Sequence, residues 1–151
     1  MIRIENIEET IARLQQLQAD TAPQFGSMTP QQMVEHITVT IKGSNGKIQI
    51  PLRFTPEEAA AWKEKMIYTD MEFPMGLKSP LVTDGAPVYI HADLPAAIEA
   101  LRAELTDFET HHQQNPEVMH THPRLGALNH KEWLTFHSKH FTHHFKQFGL
   151  I

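Results

Sequence analysis

The sequence predicts an all-α protein: a four-helix bundle with a long crossover connection that carries an extra short helix. Three observations carry this prediction. Apolar residues recur at helical spacing in four long segments. Helix-start signatures open three of those segments and a shorter fifth one. No set of buried strands is present from which a βαβ fold could be assembled. At 151 residues, 40% hydrophobic and 21% charged, the chain has the size and composition of one globular domain spanning residues 1–151.

The first helix is predicted over residues 2–19, where Ile4, Ile7, Ile11 and Leu14 alternate spacings of three and four. The second begins at Thr29-Pro30-Gln31-Gln32. Thr29 can cap the free amides, Pro30 suits the first helical position and Gln32 completes a capping box. It should run to Lys42 and stop at Gly43. The crossover, residues 44–92, opens with Ile48, Ile50, Leu52 and Phe54 alternating with polar residues. Pro51 restricts that extended segment to an edge or crossover position. Thr55-Pro56-Glu57-Glu58 then caps a short helix reaching Tyr68. Residues 70–93 hold Pro74, Gly76, Pro80, Gly85 and Pro87 and read as ordered loop, too apolar at Phe73, Met75, Leu77, Leu81, Val82, Val88 and Tyr89 to be a linker. Asp93 precedes the third long helix, whose stripe of Ile98, Leu101, Leu105, Phe108 and His112 ends before Asn115-Pro116. Asn129-His130-Lys131-Glu132 opens the last helix, which should stop at Gly149. Four long helices joined through one long connection describe a bundle with a crossover.

Composition excludes several functions. The chain has no cysteine, which removes disulfides, thiolate metal sites and a cysteine nucleophile. A formal charge of −5 has the wrong sign for a nucleic-acid binder. No signal peptide and no apolar run of membrane-spanning length is present, so a soluble, cytoplasmic protein without a membrane partner is expected. No Gly-rich phosphate loop, G-x-S-x-G elbow or H-E-x-x-H motif occurs. Histidine is the unusual residue. There are 11, and protonating them all would reverse the sign of the net charge.

A helical wheel sorts these histidines. With Trp133 at zero, His140 falls at about −20°, His144 at about +20° and His137 at about +40°, between Phe136, Phe141 and Phe148. Lys131, Glu132, Lys139, Thr142 and Lys146 take the opposite face. Two buried imidazoles one turn apart leave ring nitrogens in need of partners, and either backbone carbonyls, waters or one shared divalent ion can supply them. His36 lies on the apolar arc of the second helix beside Met33, Ile37 and Thr40, with Glu35 and Lys42 on the far side. A site of His36, His140 and His144 is therefore geometrically possible, and three histidines leave a coordination position open for water or substrate. His143 falls at the edge of the buried arc, on the rim. His112 could donate into the same site. His111 should point outward, His120 and His122 should lie in a loop, and His91 and His130 should be solvated.

Met33-Val34-Glu35-His36-Ile37, followed near the other end of the chain by His140-Phe141-Thr142-His143-His144-Phe145-Lys146-Gln147, resembles the DinB/YfiT-like superfamily of metalloenzymes. His122-Pro123-Arg124-Leu125-Gly126-Ala127-Leu128, Trp133 and Gln147-Phe148-Gly149-Leu150 resemble a DinB-like branch of it whose activity is not assigned. The resemblance implies a frequently dimeric bundle holding a divalent metal on His36, His140 and His144. It also implies activities among which thiol-dependent transferases and isomerases occur and hydrolases have been inferred.

The function expected is thus that of a metal-dependent enzyme acting on a small molecule. An open metal position can supply hydroxide for hydrolysis, or bind a low-molecular-weight thiol brought from outside for a transfer reaction. His137 or His143 would serve as general base. Zinc, nickel and iron are all compatible with imidazole ligands. The rival expectation is a non-catalytic bundle whose histidines bind metal for stability or sense pH.

Overall fold

Reciprocal hydrogen bonds fix where the helices begin. In the computed structural model, which describes residues 1–75 and 88–151, Thr29 Oγ1 accepts from the Gln32 amide (3.1 Å) while Gln32 Oε1 accepts from the Thr29 amide (2.8 Å). The same box closes between Thr55 and Glu58 and between Asn129 and Glu132, and Asp93 accepts from the Ala96 amide. These caps open α2 (Pro30–Ser44), α3 (Pro56–Tyr68), α4 (Leu94–Gln114) and α5 (His130–Gln147), preceded by α1 (Ile7–Leu14). All-α architecture with an extra crossover helix is what the five helices form, among the described residues. The part of the predicted 70–93 loop that holds Gly76, Leu77, Pro80, Leu81, Val82, Gly85 and Pro87 lies outside them.

Helix α1 is shorter than its apolar period suggests. Ile2 is buried, but its amide donates to Thr142 Oγ1 (2.8 Å), so the first residues are strapped to α5 instead of winding into a helix. At the other end, Gln16 and Leu17 donate to Arg13 and Leu14, three residues back, which tightens the chain out of the helix.

Helix α2 lies along α4, α1 packs on α4, and α5 contacts both α2 and α3. Ile11, Leu14, Met33, Ile37, Leu101, Trp133, Phe141 and Phe145 are fully enclosed where these faces meet. Each such side chain contributes about 1.5–3 kcal/mol by leaving water.

The polar face assigned to α5 is not solvated as expected. Glu132, Lys139 and Thr142 are all buried, because the crossover and the N-terminal strap cover that side of the helix. Glu132 accepts from Tyr68 Oη (2.5 Å) and pairs with Lys63 (3.0 Å), fastening α3 to α5. Lys139 Nζ donates to the Thr69 carbonyl (2.7 Å).

Two further corrections concern local structure. His120–His122 is not loop but β1, paired antiparallel with β2 (Gly126–Leu128), His120 opposite Leu128. Helix α2 runs through Gly43 to Ser44. That glycine serves a close approach instead of a stop: a Cβ there would stand 2.8 Å from Ile50 Cδ1. The extended segment carrying Ile50 forms no strand. It crosses the hairpin turn, where the Arg53 amide donates to the Pro123 carbonyl (2.8 Å) and the Arg124 guanidinium sits over Phe54 and Trp62. Among the described residues no helix is long and apolar enough to cross a membrane.

Candidate metal centre

His36 projects from α2, His140 and His144 from successive turns of α5. Their Nε2 atoms converge. His140 Nε2 lies 2.9 Å from His36 Nε2 and 3.2 Å from His144 Nε2, and the ligand atoms of all three fall within 4.8 Å of one another. Among the described residues this is the group of three that could hold a metal ion.

Hydrogen bonding alone does not account for this arrangement. A neutral imidazole offers one donor and one acceptor, and they sit on different nitrogens. His140 Nε2 therefore has a single proton or a single lone pair, yet it faces two ring nitrogens at once. A cation shared by three lone pairs satisfies all of them. His36, His140 and His144 would hold such a cation, each giving it one ring nitrogen.

The surroundings select the form of imidazole that binds metal. His144 Nδ1 lies 2.7 Å from Gln147 Oε1. An amide oxygen only accepts, so Nδ1 carries the proton and Nε2 keeps its lone pair for the centre. Gln147 is itself held, its amide nitrogen donating to the Phe25 carbonyl (3.1 Å). Burial also keeps the rings neutral. Desolvation, with His143 adding to it, lowers His36 to about 4, and desolvation followed by the neighbouring His36 lowers His144 to about 3, against a small raising effect of Gln147. His140 is held well below its ordinary value, first by burial and then by His144 and His36. All three rings are thus held in the neutral form near pH 7.

His143 is half-buried on the rim. Its ring packs between Phe25 (5.3 Å between centroids) and Phe73 (5.9 Å) and stands 5.0 Å from His144. One ring nitrogen bonds the Phe73 backbone, and burial lowers its pKa.

His137 is placed elsewhere. It is fully enclosed, stacked on Trp133 (5.2 Å) and bonded through Nε2 to Ser44 Oγ (2.8 Å). Ser44 Oγ donates to the Ile41 carbonyl, so His137 is the donor. His112 does not enter the centre either, since its Nε2 donates to the Ser44 carbonyl (2.8 Å). Both rings secure the end of α2.

The remaining histidines are less solvated than their sequence positions suggest. His111 Nε2 meets His120 Nε2 at 2.8 Å, and His130 stacks on His112 at 4.7 Å. His122 is buried in the hairpin, where its Nδ1 accepts the amides of Arg124 (3.0 Å) and Leu125 (3.1 Å). His91 is half-buried, and its backbone is bound by Gln31 and Glu35.

Sequence reasoning missed Glu35. It is buried, and its carboxylate accepts the amides of Ile90 (2.8 Å) and His91 (2.9 Å) where the chain returns from the crossover. Burial works against its charge, but those two amides and Gln31 outweigh it and the pKa falls. The sequence carries no local signal for this contact, since the partners of Glu35 lie more than fifty residues away.

Fold and site together define a helical bundle with three convergent histidines, two from one helix and one from another, able to receive a metal ion. The chain belongs to the family described as "Protein of unknown function (DUF1569)", whose model matches residues 1–149. That family falls within the DinB/YfiT-like clan of helical proteins. Neither the curated proteins nor the solved structures contain a match to the chain.

Proposed function

We propose that the protein is a divalent-metal-dependent enzyme acting on a small molecule at the His36/His140/His144 centre. The observation that carries this reading is the convergence of three Nε2 atoms, with the tautomer of His144 set by Gln147. Three protein ligands characterise catalytic centres, where structural zinc sites close all four positions. A metal bound there would supply a Lewis acid able to generate hydroxide near neutral pH, or to hold an external thiol as its thiolate.

The protein's own residues would do the rest. His36, His140 and His144 present lone pairs. Gln147 fixes one ring in place. Phe73 lies edge-on to His140 (5.2 Å) and shields that side from water. His143 has one nitrogen tied to the Phe73 backbone, and its other nitrogen would take a proton at the rim. His143 is thus the better placed of the two candidate bases, since His137 is enclosed and committed to Ser44. Hydrolysis and transfer to an exogenous low-molecular-weight thiol both use these parts. Zinc, nickel and iron are all compatible with imidazole ligands.

Elemental analysis of protein purified without an affinity tag tests the reading. One equivalent of divalent metal is expected in the wild type and its loss in the His36→Ala/His140→Ala variant. Full occupancy in that variant would overturn the ligand set. If chelation leaves a fold many degrees less stable while no turnover is ever detected, the non-catalytic alternative stands instead.

A further inference from the structure

Beside the metal centre lies a cavity of about 220 Å³ whose walls are Phe25, Phe73 and Met75. It exceeds the apolar cavity of about 150 Å³ known to accept benzene. Its polar lining is unlike that of a simple packing void. Lys139 Nζ is buried, with the Thr69 carbonyl as its hydrogen-bond partner, and among the described residues no carboxylate lies within ion-pair distance of it. An ammonium removed from water and given a neutral partner is costly. Thr142 Oγ1 accepts from the Ile2 amide, which leaves its own proton to donate. The Glu72 carboxylate at the edge of the cavity is already matched by Lys146 at 3.1 Å. The Asp70 carboxylate acts on this ammonium from beyond ion-pair distance, so a positive charge without a contacting carboxylate remains beside two aromatic faces. The cavity also shares a wall with the centre, because the Phe73 ring contacts both His140 and His143.

We propose that this cavity binds a small organic carboxylate with an apolar, aromatic-sized body, Lys139 providing the counter-charge, Thr142 a donor and Phe25 and Phe73 the walls. This names the substrate class of the three-histidine centre and in that respect rests on the metal-enzyme reading.

Benzoate and its neutral isostere benzamide are suitable probes, titrated into the full chain and followed by amide NMR shifts. Benzoate is expected to shift residues around Phe25, Phe73, Thr142 and His143 and to bind about tenfold more tightly than benzamide. Lys139→Met should remove that preference while leaving benzamide binding unchanged. Equal binding of the two probes by the wild type, or an undiminished preference in Lys139→Met, would overturn the proposal. The His36→Ala/His140→Ala variant separates it from the metal reading, since benzoate should still bind there. Binding lost in that variant would show that the cavity has no affinity of its own. In cobalt-loaded wild type, bound benzoate should show paramagnetic relaxation. Its absence would sever the cavity from the centre.

Discussion

One amide side chain decides how well three imidazoles can act together. Gln147 accepts the Nδ1 proton of His144, and an acceptor lost at that position frees the ring to turn and to exchange tautomers. Gln147→Leu is expected to weaken metal affinity by about 10–100-fold, measured by competition with a chromophoric chelator, while Gln147→Glu, which keeps an acceptor, should retain most of it. The inward placement of His36, His140 and His144 was legible in the sequence because helical period alone aims a side chain at the core. The fate of His137 was not. Its angle on the wheel is as favourable as that of His144, and only the position of Ser44 on another helix diverts it. Glu35 escaped for the same reason. Its partners are backbone amides that arrive from the far end of the crossover.

At the level of elements, capping chemistry was the most readable part of the chain, since a capping box is local and its residues lie within four positions. Asn129 opens the helix that bears two of the three candidate ligands. Asn129→Ala should cost about 1 kcal/mol, seen as a lowered urea midpoint, without altering metal stoichiometry. Elements that depend on remote partners were hidden. The strands at His120–His122 and Gly126–Leu128 have three residues each, too few for an alternating pattern to register. The first helix lost its opening turn to a bond with Thr142, near the opposite end of the chain. The far side of α5 read as solvent-facing because its charges were counted without the crossover that covers them.

For the molecule as a whole, the enclosed histidines make the fold acid-sensitive. Burial, with Arg124 adding to it, lowers His122 to about 3, and burial lowers His112 to about 4, against a raising effect of the Ser44 carbonyl. In the unfolded chain such rings titrate near 6.5, so below that value the unfolded state binds protons the fold refuses. Stability is therefore complete above about pH 6.5 and declines as pH falls towards the folded values, at about 1.4 kcal/mol per pH unit for a ring as enclosed as His122. Urea midpoints of metal-free protein should hold level above about pH 6.5 and drop steeply between about pH 6.5 and 4. In His122→Asn, whose amide oxygen can still receive the Arg124 and Leu125 amides, the slope should be shallower. An unchanged slope would remove His122 from the account.

The Gln147 side chain also has a second end. Its nitrogen holds the Phe25 carbonyl, and the main chain on either side is tied as well, since the Gln24 amide donates to the Gln147 carbonyl at 2.7 Å. Gly26, at a φ of 73°, leaves the room this needs, for a Cβ there would stand 2.9 Å from Gln147 Nε2. The connection leading into α2 is thereby bolted to the same residue that steadies His144. A shift in that stretch of backbone would tug on the ring and, through Phe25, move a wall of the neighbouring chamber, so an ion held by the three histidines and a ligand held in the chamber would be seated by one mechanical adjustment.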